Sequence, residues 1–170
     1  RGYAYGYFSC GSSSIRLLKN ASYSAQKNGE ASFELQVRIP RETAENKDAY
    51  AIIRVMDQCL SSSGDYDNNY MSGGNLCCHI IDTRTGYPVN FNQDGVQGGI
   101  STVTLLSGSA VEDDALTTAL CLMGVHDAIA YVNENLRDHS VAMVLYRADK
   151  DFYEVVTNIP ESGLQIFDGA

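Results

Sequence analysis

Apolar and polar residues alternate strictly from Ser32 to Ile39, and a period of two marks a half-buried strand. Pro40 follows, and a residue with no N–H to give to a ladder ends it. Shorter apolar runs at 7–10 and 15–18 read as strands about a Gly11–Ser14 turn, with a polar stretch from Lys19 to Glu30 that carries the turn signal Asn28-Gly29. Residues 42–48 are charged and read as a loop; 51–56 and 76–81 read as strands. Ser72-Gly73-Gly74-Asn75 predicts a hairpin turn before the second of these, and the β-branched run 99–106 predicts a buried strand.

The period then changes. Ser109 and Glu112 form an S-x-x-E capping box at the head of an apolar run, so a helix is expected from Ala110 to Met123, stopped by Gly124. It is apolar nearly all round, with Leu116, Ala119, Leu120 and Met123 in one stripe and Val111, Ala115 and Leu122 in another, which predicts burial on most sides. Ile129, Val132 and Leu136 place a second helix at about 127–136, and 142–146, 152–156 and 164–167 close the chain as strands. The class is therefore α+β: a mostly antiparallel sheet with two helices packed on one side, in a single domain over 1–170.

Charge narrows the function. Twelve Lys and Arg against 21 Asp and Glu give a net charge of −9, which excludes the basic footprint of a nucleic-acid binder. The same balance opposes docking on anionic lipid, and no run approaches the roughly 18 apolar residues of a membrane span. A phosphate-bearing ligand remains compatible with an acidic chain when a divalent cation lies between them. The five cysteines, Cys10, Cys59, Cys77, Cys78 and Cys121, have no C-x-x-C or Cys/His ligand spacing and read as small buried hydrophobes.

Three places offer chemistry. Asp114 and Thr118, four apart on a helix, share a face bordered by apolar residues; they suit a hard divalent cation, or else Asp114 caps its own helix and Thr118 bonds back to the Asp114 carbonyl. His79 ends an apolar strand and is either a general base or a structural residue. Ser61-Ser62-Ser63-Gly64-Asp65 is either an anion-cradling nest or a strand-to-loop transition. Glu112 and Asp113 need only the helix dipole to explain them, and His126 and His139 have no chemical context. Asp82-Thr83-Arg84-Thr85-Gly86-Tyr87-Pro88 has the residue types of a tight turn, with Asp82 oriented by backbone amides and Gly86 taking a positive φ.

Taken in order, Ser63-Gly64-Asp65-Tyr66, then His79-Ile80-Ile81-Asp82-Thr83-Arg84-Thr85-Gly86-Tyr87-Pro88, then Asp114-Ala115-Leu116-Thr117-Thr118-Ala119-Leu120 through Met123-Gly124 resemble the ApbE-type flavin transferases, the FAD:protein FMN transferases. The resemblance places this chain on the C-terminal half of that family's usual length. It implies an α+β architecture related to the tunnelling fold, FAD as substrate, and Mg²⁺ as cofactor. The implied reaction attaches FMN through a phosphoester to a Thr or Ser of an acceptor redox protein and releases AMP. It also implies roles: Asp114 and Thr118 as metal ligands, His79 at the active site, where the chemistry makes it the candidate catalytic base, and Ser63, Gly64, Asp65, His79 and Ile80 beside the nucleotide.

Arg1-Gly2-Tyr3-Ala4 resembles the tail of the family's A-K-G-Y-A string, with Arg1 in the Lys position near the cofactor. The string's leading Ala and the helix that usually follows are expected to be missing from this chain, and Thr83 stands where the family commonly has Pro. Two other functions stay open at this point: an FAD hydrolase giving FMN and AMP, and a non-catalytic flavin-binding fragment. By resemblance the protein is expected outside the bacterial cytoplasm, in the cell envelope, with any signal and lipid anchor upstream of Arg1; a cytoplasmic location stays open. The cysteines, with no pairing in view, favour a reducing setting.

Overall fold

The computed structural model describes residues 5–11, 13–19, 33–38, 49–65, 68–90, 99–147 and 152–166. In chain order these form β1 (Tyr5–Cys10), β2 (Ser14–Lys19), β3 (Phe33–Arg38), β4 (Ala49–Val55), β5 (Cys59–Gly64), β6 (Asn69–Ser72), β7 (Asn75–Asp82), β8 (Tyr87–Asn90) and β9 (Ile100–Ser107). Helices α1 (Ala110–Met123) and α2 (Val125–Asn135) follow, and β10 (Ser140–Arg147), β11 (Phe152–Thr157) and β12 (Leu164–Ile166) close the chain.

Six strands make an antiparallel sheet in the order β1-β2-β5-β9-β10-β11. Its centre, β9, is buried along its whole length, as a run with apolar or β-branched residues on both faces requires. Val103 and Leu105 of β9 and Val141, Met143 and Leu145 of β10 face Leu120 and Cys121 of α1 and Ala128 and Val132 of α2. Leu17, Leu60, Leu106 and Val144 face the other way and pack on Ala51, Ile53 and Val55 of β4 and on Leu164. These last belong to a second sheet, β12-β4-β3. The class is the expected one, with both helices on one face of a mostly antiparallel sheet; the second sheet on the opposite face has no signal in the local pattern. Each fully buried aliphatic side chain contributes about 1.5–3 kcal/mol relative to exposure, so the two cores hold the large sheet from both sides.

A third, three-stranded sheet, β6-β7-β8, hangs on the helix-side core through Cys78 and Ile80 of β7. Its β6–β7 turn has Gly73 at φ 56° and Gly74 at φ 82°, the paired positive dihedrals of a tight hairpin that residues with a Cβ resist. Strand β8 occupies Tyr87–Asn90, where the sequence shows only a turn.

Helix α1 has the expected ends, but its burial differs. The Ser109 hydroxyl accepts from the Glu112 N–H at 3.3 Å, while the Ser109 N–H donates to Ser107 Oγ at 3.0 Å, so Ser107 takes the role the capping box assigns to Glu112. The buried residues are Asp113, Thr117, Leu120 and Cys121, whereas Val111 is 84% exposed. Only one face of the helix meets the sheet, and near its start that face is polar: the Thr117 hydroxyl meets Ser63 Oγ, while neither Asp113 carboxylate oxygen has a hydrogen-bond partner within range among the described residues. Helix α2 starts two residues earlier than its periodicity suggests. Four cysteines are buried as expected; Cys10, on the edge strand β1, is exposed. No helix among the described residues is long and apolar enough to cross a membrane.

Candidate active site

Three serines in a row are poor strand formers, yet Ser61, Ser62 and Ser63 lie in β5, between β2 and β9 of the central sheet. They are not a nest; the strand runs through all three serines and ends at Gly64, so the Ser61–Asp65 stretch leaves the strand at Asp65. Each hydroxyl has a partner on a neighbouring element, which removes the cost of burying it. Ser62 Oγ is 2.8 Å from Thr104 Oγ1 on the second-sheet face. A cleft of about 190 Å³ on that face is lined by Ile15, Leu35, Val37, Leu60, Thr102 and Thr104. Strand alternation turns Ser61 and Ser63 the other way, toward α1.

On the helix side two sequence motifs meet. Ser63 Oγ lies 2.9 Å from Thr117 Oγ1 and 3.0 Å from Thr118 Oγ1. Both threonine hydroxyls also reach the Asp114 carbonyl, at 3.1 Å from Thr117 and 3.3 Å from Thr118. The Asp114 carboxylate is exposed and accepts from Ser14 Oγ at 3.1 Å, and Ser14 Oγ is 2.8 Å from Ser61 Oγ. Ser63 and Thr118 thus meet at the seam between α1 and β5, with the Asp114 backbone carbonyl against the threonine hydroxyls and the Asp114 carboxylate turned to Ser14. The back-bond from Thr118 and a potential ligand role coexist here, because a hydroxyl that donates its proton keeps lone pairs free.

By type, the Asp114 carboxylate and the Thr118 and Ser63 hydroxyls are hard oxygens of the kind a magnesium-like cation takes. Among the described residues no group of three or more His, Cys, Asp or Glu side chains is placed to hold a metal ion.

The other expected residues divide. His79 is exposed on β7, and its N–H donates to the Asn68 carbonyl at 3.1 Å. Ile80 faces the opposite way, 5% exposed, and its side chain packs in the helix-side core. Gly64 ends β5, buried and paired with Thr102. Asp65 is fully buried and accepts from Ser101 Oγ at 2.6 Å, and its own N–H donates to the Ser101 carbonyl at 3.0 Å. Its side chain therefore serves the interior. Burial pushes the neighbouring Cys78 and Cys121 thiols up, and the nearby Asp65 charge adds to both shifts. Arg1 lies outside the described residues.

The expected turn is confined to residues 83–86, between Asp82 at the end of β7 and Tyr87 at the start of β8. The Arg84 N–H donates to Asp82 Oδ1 at 2.9 Å, and the Arg84 side chain reaches Oδ1 at 3.0 Å and Oδ2 at 2.8 Å. The Gly86 N–H closes on the Asp82 carbonyl at 2.7 Å, and φ of 74° at Gly86 suits a residue without a Cβ. Arg84, first through its side-chain hydrogen bonds, holds the Asp82 carboxyl below its ordinary value.

Sequence reasoning missed two features. Ser14 carries no motif and Ser61 stands out only within the Ser61–Asp65 stretch; strand pairing puts the two together beside Asp114. Asp113 and His139 have context after all: Asp113 is fully buried, with Oδ1 3.9 Å from His139 Nε2. Glu112 Oε1 lies 4.0 Å from the same nitrogen. Burial pushes the Asp113 carboxyl up, opposed by Ser107 and by the His139 ring. The helix dipole alone does not account for a carboxylate in that position.

Residues 15–144 match the sequence model of the ApbE family. Among curated proteins, the FAD:protein FMN transferase of Vibrio cholerae serotype O1 is 27% identical over 123 residues, which is 72% of this chain and 34% of the relative. The Escherichia coli K12 protein of the same name is 28% identical over 127 residues, covering 75% of this chain and 33% of its own length. The chain thus spans about a third of the curated relatives it matches. Among solved structures, an ApbE protein from Thermotoga maritima superposes with a TM-score of 0.63 at 23% identity, over 88% of this chain and 42% of that one. The flavin transferase ApbE from Vibrio cholerae gives 0.59 at 23% identity, over 85% and 39%. At that identity the structural likeness establishes the fold; the sequence match, over most of the chain, shows that the protein belongs to the ApbE family.

Proposed function

We propose that the protein transfers FMN from FAD to a Thr or Ser hydroxyl of an acceptor protein, releasing AMP. The observation that carries this is the meeting of Ser63 with Thr118 beside Asp114, which joins two motifs of a family whose curated relatives are named FAD:protein FMN transferase. Asp114 and Thr118 would hold Mg²⁺, with Ser63 at their side. Bound there, the cation supplies neutralising charge for the FAD pyrophosphate, which an acidic chain otherwise repels.

His79 is the base in this reading. It takes the proton of the acceptor hydroxyl as that oxygen attacks the phosphorus of the FMN half. The new P–O bond makes the phosphoester, and the bond to AMP breaks, AMP leaving with the electron pair. Exposure suits His79 to this work, since a protein acceptor must reach it from solvent. The 170 residues act as one domain matching the C-terminal part of a flavin transferase, and the reading places the protein in the bacterial cell envelope, beside membrane redox acceptors.

The test is incubation of the full-length protein with FAD, Mg²⁺ and an acceptor polypeptide bearing a Thr or Ser site. Flavin fluorescence that stays with the acceptor on a denaturing gel is the expected result. Free FMN and AMP with unlabelled acceptor would make the protein a hydrolase, and no turnover would make it a flavin-binding module.

A further inference from the structure

We infer that Ser14 is a positioning residue for the Asp114 carboxylate and that Ser61 fixes the direction of its proton. The inference rests on the reading of Asp114 as a cation ligand. Ser14 opens β2 and Ser61 lies in β5, and the two are direct partners in the antiparallel ladder, so their side chains stand on the same face. That face is the one α1 covers. Asp114, 100 residues from Ser14 in sequence, meets it there.

The proton order follows from valence. A carboxylate only accepts, so the single Ser14 proton goes to Asp114 Oδ1, at 3.1 Å. Ser14 Oγ is then an acceptor toward Ser61, whose proton fills the 2.8 Å contact. The alternative acceptor for Ser61, the Ala110 carbonyl, lies at 3.5 Å, the limit of a hydrogen bond. The chain therefore runs Ser61 to Ser14 to Asp114, each bond polarising the next.

Its effect is on the carboxylate's orientation. A donor on Oδ1 restrains rotation of the group, and Oδ2 receives no hydrogen bond from the described residues. The restrained carboxylate presents Oδ2 to a cation without first having to be ordered. Groups that orient metal ligands in this way typically change metal affinity or activity by about 10–100-fold when removed. Neither serine needs to touch the cation.

Direct metal binding is the test. Mn²⁺ serves as the probe, because the electron paramagnetic resonance signal of free aquo-Mn²⁺ reports the unbound fraction without any turnover. The full-length protein is compared with Ser14→Ala, Ser14→Thr, Ser61→Ala and Asp114→Asn, each with a thermal unfolding curve. Binding should vanish in Asp114→Asn, weaken roughly tenfold in Ser14→Ala, weaken less in Ser61→Ala, and recover in Ser14→Thr, which keeps the hydroxyl. Wild-type affinity in Ser14→Ala, with binding still lost in Asp114→Asn, overturns the positioning role and leaves the cation reading in place. Absence of Mn²⁺ binding by the wild type overturns both. Loss of affinity only in step with loss of folded protein, with no recovery in Ser14→Thr, also overturns the positioning role.

Discussion

Ser63 and Thr118 place their hydroxyl oxygens 3.0 Å apart across the seam between β5 and α1, although 55 residues separate them in the chain. This contact makes one site of two motifs. It exists because β5 lies inside the sheet, directly beneath the helix, with Ser63 on the helix side. A one-residue slip of β5 would turn Ser62 to the helix and Ser63 to the second sheet.

Replacing Asp114 by Ala should abolish Mg²⁺-dependent FMN transfer in the full-length protein. It is the charged member of the oxygen cluster, and its loss leaves the cation to neutral hydroxyls, water and FAD. Thr118→Ala removes a neutral oxygen and should be milder. The check is transfer rate against Mg²⁺ concentration for the three proteins; equal activity in wild type and Asp114→Ala would end the metal assignment.

His79→Ala should lower kcat by about 10²–10⁴-fold while the FAD dissociation constant stays near that of the wild type. A base acts on the acceptor hydroxyl in the transition state, and ground-state flavin scarcely senses it. His79→Asn should not rescue the rate, because an amide cannot take the proton. Near-normal turnover by the Asn variant, or a loss confined to FAD affinity, would instead assign His79 a binding or structural role.

Asp65 should matter to folding before it matters to nucleotide. Its carboxylate, fully buried, accepts from Ser101 Oγ at 2.6 Å. A hydrogen bond to a charged group contributes roughly 1.5–3 kcal/mol, and Ser101→Ala should lower unfolding free energy by about that amount. Denaturant titration measures it, alongside FAD affinity well below the unfolding midpoint. Unchanged stability with weakened FAD binding would return this pair to the ligand site.

Asp82 should titrate below 3.8, its ordinary value, because the Arg84 side chain and backbone N–H both favour the ionised form. A depressed native value means that the stabilisation is present above the unfolded value and is lost as pH falls through the native one. Carbon-13 NMR of the Asp82 carboxyl should show a midpoint under 3.8 in the wild type, moving up toward it in Arg84→Gln. A wild-type midpoint at or above the ordinary value would mean that the Asp82–Arg84 pair does not persist in solution.

Local chemistry alone set a good part of this protein. The bounds of α1 follow from Ser109, whose hydroxyl caps the helix, and from Gly124 at its end. The alternation at β3 and the apolar run at β9 required no knowledge of partners, because side-chain period is a property of the strand itself. The three motifs could be read as strings for the same reason.

What each residue faces was decided only when distant strands stacked. Asp113 and Asp114 are neighbours in sequence, yet one is fully buried near His139 and the other exposed beside Ser14, because a helix turns by about 100° per residue and only one side meets the sheet. Ile80 and Asp65 went to the core, and Ser61 through Ser63 became a central strand, because partners on β2, β9 and α1 satisfy or exclude their polar atoms. Burial and hydrogen bonding are non-local quantities. No window of sequence around Ser14 contains the carboxylate it holds.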